Sequence, residues 1–165
     1  MCKAAEMAGN IRVIVSFRYT QQDKPLVLIG YDSKINKLNH IKSLWTGIGV
    51  TGTTPESLCY EAMMDDYLKS VNGDDNYFIN FSDGQPYYSS GDIYYYGVDA
   101  ERHCKKQVKM MKNRGIKILS YFVADYEYDR DRDSFKKMYG SDASFIKPTN
   151  MMEVAKTMNA MFLQK

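Results

Sequence analysis

The chain has 165 residues, a length that predicts a single domain spanning residues 1–165. Hydrophobic residues make up 44% of the chain, enough for a sizeable buried core. The 22 Lys and Arg residues nearly balance the 20 Asp and Glu residues, and no basic block stands apart from acids, so we expect no nucleic-acid binding. Three cysteines without paired spacing argue against a disulfide scaffold, and no apolar run is long enough to cross a bilayer. These features predict a cytoplasmic protein without a membrane partner.

The first third of the chain predicts two strands between helical segments. Residues 2–8 resemble the end of a helix, closed by a Gly-Asn pair. Residues 11–19 are β-branched and aromatic, which is typical of a strand, and residues 25–31 predict a second strand. Residues 35–45 fit a helical stripe only loosely, and a glycine- and threonine-rich loop follows at 47–54.

The middle of the chain has clearer signals. Thr54 as N-cap, followed by Pro55, predicts the start of a helix that runs to about residue 70. Residues 77–81 predict a short strand. Asp99 is then expected to cap a helix that ends at Gly115 and buries one stripe of residues, which comprises Cys104, Val108 and Met111.

The last third completes an alternating pattern. Residues 116–123 form a nearly continuous apolar run, as expected of a strand buried on both faces. Asn150 and Glu153 resemble a capping box, which predicts a final helix with Met151, Val154, Ala155, Met158 and Phe162 on one face. Strands that alternate with helices predict an α/β domain with a mostly parallel sheet. Ligands of such sheets bind beyond the carboxyl ends of the strands.

Two loops at that predicted edge carry oxygen ligands. Thr54 stands at a helix start, with Thr53 as an alternative register, and Asp83 follows a predicted strand in Ser-Asp-Gly-Gln-Pro. A hydroxyl and a carboxylate are hard ligands that suit Mg²⁺ or Mn²⁺. Each motif alone is also a common helix start or turn, so the signal lies in their order.

The order of these motifs resembles the von Willebrand factor A family. The chain is similar to the family in its Gly-Thr-Thr-Pro loop, its Ser-Asp-Gly-Gln-Pro turn, and Asn-Arg-Gly-Ile-Lys-Ile-Leu at 113–119. It looks closest to the intracellular branch typified by the cobaltochelatase subunit that works beside an AAA+ ATPase. The resemblance implies a three-layer, doubly wound, mostly parallel sheet and a non-catalytic, metal-ion-dependent protein-binding site. Thr54 and Asp83 would hold the metal, and a partner protein, such as an AAA+ ATPase, would offer a carboxylate.

One part of the family pattern is missing from the chain. The family's Asp-x-Ser-x-Ser loop, which follows its first strand, has no counterpart, since the one Asp-x-Ser, at 142–144, comes far too late. We therefore expect the first strand and its loop to lie upstream of Met1. That expectation implies weak or absent metal binding in this chain and self-association through exposed strand edges.

Two further segments are candidates for function. Five tyrosines directly follow the Asp83 turn and predict a partner-binding surface, or alternatively rings packed on the sheet edge; they are Tyr87, Tyr88, Tyr94, Tyr95 and Tyr96. The alternating charges of residues 125–133 favour a solvated loop. Their carboxylates, with Asp83, also support an alternative function, that of a metal-dependent phosphoryl-transfer or hydrolytic enzyme. His40 and His103 are not placed like catalytic bases.

Overall fold

The computed structural model describes residues 2–3, 7, 10–21, 24–48, 53–70, 75–125 and 129–163. No described helix is long and apolar enough to cross a membrane. In chain order the described elements are β1 (Ile14–Gln21), β2 (Lys24–Asp32), α1 (Leu38–Trp45), α2 (Glu56–Ser70), β3 (Asn76–Ser82), β4 (Tyr88–Ser90), β5 (Ile93–Tyr95), α3 (Gly97–Asn113), β6 (Ile116–Val123), α4 (Asp129–Tyr139), a 3₁₀ turn (Gly140–Asp142), β7 (Ala143–Ile146) and α5 (Met151–Leu163).

A parallel sheet of three strands, in the order β3-β6-β7, forms the centre of the fold. Asn80 of β3 pairs with Ser120 of β6, and Ser120 pairs in turn with Ala143 of β7. The connections between these strands run through helices, as parallel pairing requires. The predicted mixed α/β class with a parallel sheet is therefore confirmed.

Helices cover both faces of this sheet. The side chains of β6 alternate, so that Ile116, Ile118 and Phe122 pack with α2, α3 and α4, while Tyr121 packs with α5. Along α3, the predicted stripe of Cys104, Val108 and Met111 is buried. Burial on both faces explains why residues 116–123 form a nearly continuous apolar run.

The strands β1 and β2 form a separate antiparallel ribbon. Val13 and Tyr31 form a small core with the half-buried Ile41 of α1. On β2, the backbone of Gly30 lies under the ring of Phe17, where an added Cβ would come within 2.6 Å of a ring carbon. Only glycine therefore allows this close packing.

The ribbon is connected to the parallel sheet through side chains. No described strand links the two. The described residues form no ladder between β1 and β3. The guanidinium of Arg18 on β1 spans the interval and donates to the main-chain oxygen of Phe81 on β3, at 3.3 Å. The amide of Thr53 donates to the hydroxyl of Thr20, at 2.9 Å.

Most predicted elements are present, with shifted ends. The strand predicted at 11–19 occupies Ile14–Gln21, and the ambiguous segment 35–45 contains the helix Leu38–Trp45. Of the predicted helix end at 2–8, Cys2, Lys3 and Met7 are helical, and the remaining residues lie outside the described part of the chain. The same holds for residues 49–52 of the predicted glycine-rich loop.

Two local predictions were wrong. Asp99 does not cap α3, because the extended Tyr96 precedes a helix that begins at Gly97, and Asp99 lies within its first turn. The charged segment 125–133 is not wholly a loop, because α4 begins at Asp129. Three acids fall at the start of α4 and two lysines near its end, which suits the helix dipole, while Phe135, Met138 and Tyr139 fall on its buried face.

We expect the isolated chain to self-associate. A two-stranded ribbon is marginally stable alone, and strand edges such as those of β1 and β3, which form no ladder with each other among the described residues, can pair with other chains. Sedimentation velocity over a series of protein concentrations should show species larger than the monomer. A monomer at every concentration, with one cooperative thermal transition, would contradict this expectation.

Candidate functional site

A fully buried carboxylate stands at the first residue of α2. Glu56 has no exposed surface, and its Oε1 accepts hydrogen bonds from the hydroxyls of Tyr60 and Tyr139 and from the Asn80 amide, all at 2.8 Å. The Arg18 guanidinium donates to the same oxygen at 3.3 Å. The carboxylate is thus paired and hydrogen-bonded, which is the condition under which a buried charge is tolerated.

The cation that balances Glu56 comes from the ribbon. Arg18 also donates to Oδ1 of Asn80 at 2.5 Å, and its guanidinium carbon lies 5.1 Å from the centre of the Tyr60 ring. Burial lowers the pKa of Arg18, but its interactions with Tyr60, the Glu56 carboxylate and Tyr139 outweigh this effect and raise it overall. Arg18 therefore stays charged, and it ties β1 to β3 and α2.

The two tyrosines of this network remain neutral hydrogen-bond donors. Burial is the main cause that holds the pKa of Tyr60 and that of Tyr139 well above the ordinary value. Their hydroxyl oxygens lie 2.7 Å apart, and the Asn80 amide also donates to Ser120 on β6, at 2.7 Å. The network connects five elements, β1, α2, β3, β6 and α4, around one ion pair.

This network fixes the start of α2 against the carboxyl end of β3. The Ser82 hydroxyl, on the residue before Asp83, donates to Oε2 of Glu56 at 3.4 Å. The amide of Tyr87 donates to the main-chain oxygen of Thr54 at 2.9 Å. The structure therefore brings the Thr54 loop and the Asp83 turn to the same end of the sheet, as expected from their order in the sequence.

Thr54 and Asp83 keep their side-chain oxygens available at this end. Thr54 is half-buried and Asp83 is exposed. Within the described part of the chain, neither the Thr54 hydroxyl nor the Asp83 carboxylate makes a hydrogen bond or an ion pair with another residue. Two such oxygens fit Mg²⁺ or Mn²⁺, which keep several waters and take few protein ligands. Among the described residues no three His, Cys, Asp or Glu side chains form a metal-binding group.

The start of α4 lies beside the same turn. The Gln85 amide, two residues after Asp83, donates to Oδ1 of Asp131 at 2.7 Å. The Asp131 carboxylate therefore borders the Asp83 turn.

The five predicted tyrosines divide into two groups. Tyr87, Tyr94 and Tyr96 are 44%, 69% and 58% exposed, whereas Tyr88 is buried and Tyr95 is half-buried. The segment forms a hairpin in which Tyr88 pairs with Tyr95 and Ser89 with Tyr94, with a turn at Gly91 that requires a positive φ of 57°. Tyr88 and Tyr95 therefore pack inward, whereas partner binding by the exposed Tyr87, Tyr94 and Tyr96 stays a prediction.

Tyr95 anchors the hairpin to two helices. Its hydroxyl bonds the Ser57 hydroxyl of α2 and lies 2.7 Å from Nδ1 of His103 on α3. Burial raises the pKa of Tyr95 to about 12, so it remains a neutral phenol. His103 Nε2 lies 3.6 Å from a carboxylate oxygen of Glu61. Ser57 is fully buried, which makes this chain of contacts an anchor and not a nucleophile relay.

Two of the three cysteines are core residues. All three carry free thiols, and Cys59 and Cys104 are buried. Burial raises the pKa of Cys59 to about 11 and also raises that of Cys104. Both thiols therefore stay protonated near neutral pH and behave as core residues.

No model of a known protein family matches the chain, and no curated protein matches it significantly. The assignment of function therefore depends on the residues and contacts described above.

Sequence reasoning missed the Glu56 network and the Ser57–Tyr95–His103 anchor. In the sequence, Glu56 has the position of an ordinary acid in a first helical turn, and such acids are usually exposed. The available signal was the presence of Arg18 and Asn80 inside strands of otherwise β-branched and aromatic residues. Polar side chains in buried strands need partners, but a sequence does not say which ones they meet.

We expect Glu56→Gln to lower the free energy of unfolding by about 3 kcal/mol, because it leaves the buried Arg18 charge uncompensated. Urea unfolding followed by circular dichroism would measure the change. Asp66→Asn on the same helix is the matched control, since Asp66 is 87% exposed and should change stability by less than about 0.5 kcal/mol. Equal effects of the two substitutions would show that the network does not stabilise the fold.

Proposed function

We propose that this chain is a metal-ion-dependent protein-binding module with the architecture of a von Willebrand factor A domain. The observation that carries the proposal is the meeting of two loops at the carboxyl end of β3, through the Tyr87–Thr54 and Ser82–Glu56 hydrogen bonds. Ligand sites of parallel α/β sheets occupy this position. The order of the Gly-Thr-Thr-Pro and Ser-Asp-Gly-Gln-Pro motifs supports the same function.

The proposed architecture is the doubly wound arrangement that the resemblance implies. The family's first strand would lie between β1 and β3, where the described residues form no ladder and Arg18 reaches across. Pairing on both sides would join the ribbon and the parallel sheet into one sheet. The metal loop of that strand would then stand beside Thr54 and Asp83.

The proposed ligands of the metal are the Thr54 hydroxyl and the Asp83 carboxylate. Both are oxygen donors without another described partner, which suits Mg²⁺ or Mn²⁺. A bound ion with an open coordination position supplies an attachment point for a carboxylate of the partner protein. No acid or base on this chain is needed for such binding, so the proposed module is not itself an enzyme.

The proposed partner approaches over the tyrosine hairpin. Tyr87 follows the Asp83 turn, and its amide donates to the main-chain oxygen of Thr54, so the hairpin starts next to one candidate metal ligand. Exposed tyrosines are typical anchors of protein interfaces. By the resemblance, the partner is an AAA+ ATPase of the chelatase-associated kind, in an assembly that remodels or metallates a target.

One contact favours a second candidate, a metal-dependent phosphoryl-transfer or hydrolytic enzyme. The 2.7 Å bond between Gln85 and Asp131 places the acidic start of α4 beside the Asp83 turn. An enzyme that uses these carboxylates should hydrolyse a chromogenic phosphate ester with Mn²⁺ and lose turnover in Asp131→Ala. The binding module predicts no turnover in either protein.

We expect Asp83→Ala to abolish the local effects of Mn²⁺ while leaving the fold intact. Paramagnetic Mn²⁺ detects even weak binding, and it should first broaden the amide signals of Thr53, Thr54 and residues 83–85 in an NMR titration. Asp66→Ala, which removes an exposed acid on α2, should leave this pattern unchanged.

Circular dichroism of Asp83→Ala should match that of the parent chain, because the exposed Asp83 carboxylate has no described partner to lose. Broadening centred on residues 129–133, or unchanged broadening in Asp83→Ala, would contradict the site assignment.

A further inference from the structure

Exposed apolar side chains are concentrated on the hairpin and on the turn that leads into α3. Five large ones fall within twelve residues of sequence: Tyr87, Ile93, Tyr94, Tyr96 and Val98. The ladder places Ile93 on the same face of the hairpin as Tyr95, so we define the hairpin surface by the three exposed tyrosines, Tyr87, Tyr94 and Tyr96. The rings of Tyr87 and Tyr96 lie 6.2 Å apart. Exposed aromatic side chains grouped in this way are typical of interaction sites.

The hairpin surface is held in place before any partner binds. Tyr88 is buried beneath the hairpin, and Tyr95 bonds Ser57 and His103 on two different helices. A three-residue strand pair would not hold its own shape in water. These anchors reduce the ordering entropy that a partner must overcome, which favours binding by a preformed surface.

The segment that carries the hairpin surface is acidic, and the cation nearest to it in sequence is Arg102. Residues 75–101 contain five acids and no Lys, Arg or His, although the chain as a whole has a formal charge of +2. Asp83, Asp92 and Asp99 border the hairpin surface, and all three are exposed. Asp99 makes an exposed ion pair with Arg102, of a kind that contributes little.

We propose that the hairpin surface binds a basic segment of a partner protein in which Arg or Lys alternates with aliphatic residues. Guanidinium groups stack on tyrosine rings, and their aliphatic stems cover apolar surface. Asp92 and Asp99 supply the complementary charge, which gives specificity and speeds association. The inference deepens the proposed function by naming the chemistry of the partner, and it rests on that function only for the position beside Thr54 and Asp83.

Fluorescence anisotropy with a labelled peptide of alternating Arg and Leu tests the charge complementarity. We expect the double variant Asp92→Lys, Asp99→Lys to weaken binding about tenfold. The matched control is Asp65→Lys, Asp66→Lys, which makes the same change of net charge on the exposed face of α2 and should change affinity less than about threefold. Equal weakening by both variants, or equal affinity for a peptide of alternating Glu and Leu, would overturn the proposal.

A second pair of variants separates contact from folding. Tyr94→Ser with Tyr96→Ser should weaken the peptide about tenfold or more with little change in Tm, because both rings are exposed. Tyr95→Phe should lower Tm instead, since it removes the hydrogen bonds to Ser57 and His103. A large loss of Tm in the first variant with unchanged affinity would show that these rings serve packing.

Peptide titrations run in parallel with chelator and with Mn²⁺ distinguish a failure of this proposal from a failure of the proposed function. Peptide binding that persists in chelator supports the hairpin surface even if Mn²⁺ fails to broaden the amide signals of Thr53, Thr54 and residues 83–85. Absent peptide binding beside normal Mn²⁺ broadening would overturn the hairpin proposal alone. Sedimentation that reverts to monomer in Tyr94→Ser, Tyr96→Ser would overturn it in favour of a second copy of this chain.

Discussion

One buried ion pair sets the geometry on which the proposed function depends. Removing a charge from water is strongly unfavourable, so the Glu56 carboxylate requires Arg18 and the hydroxyls of Tyr60 and Tyr139 around it. Each partner belongs to a different part of the fold or a different turn of a helix. Satisfying one carboxylate therefore fixes the ribbon, α2, β3 and α4 relative to one another. The start of α2 is fixed at the carboxyl end of β3 by the same bonds, through Ser82.

The surface residues of the candidate site lie close to Glu56 and Ser82, which these bonds fix in place. Thr54 lies two residues before Glu56, Asp83 follows Ser82, and Tyr87 bonds the Thr54 carbonyl. The network itself is fully compensated and buried, so it positions the site and does not react. The chemistry left for the surface is that of two available oxygens beside three exposed tyrosines. This combination is the basis of the proposed recognition of a partner.

Periodicity in the sequence predicted the parallel sheet and the buried stripe of α3, because burial on one or both faces leaves a repeating apolar pattern. It failed at α4, where three aspartates and two arginines masked Phe135 and Tyr139 on the buried face. Motif order predicted that Thr54 and Asp83 share one end of the sheet. The partners of Glu56 were not predictable, because Arg18 and Tyr139 lie far from it in sequence and meet it only through tertiary packing. The same is true of Tyr95. The sequence does not show that Tyr95 forms anchoring hydrogen bonds while its neighbour Tyr94 is exposed.

Anomalous diffraction from a crystal grown with Mn²⁺ tests the central claim most directly, namely that the buried network holds Thr54 and Asp83 close enough to share an ion. Mn²⁺ has a strong anomalous signal and the same preference for oxygen ligands as Mg²⁺. The account predicts a peak within coordination distance of both the Thr54 hydroxyl and the Asp83 carboxylate, with the Glu56 network intact beneath it. A peak only at the carboxylates of α4, or a structure in which Thr54 and Asp83 lie too far apart for one ion, would contradict it.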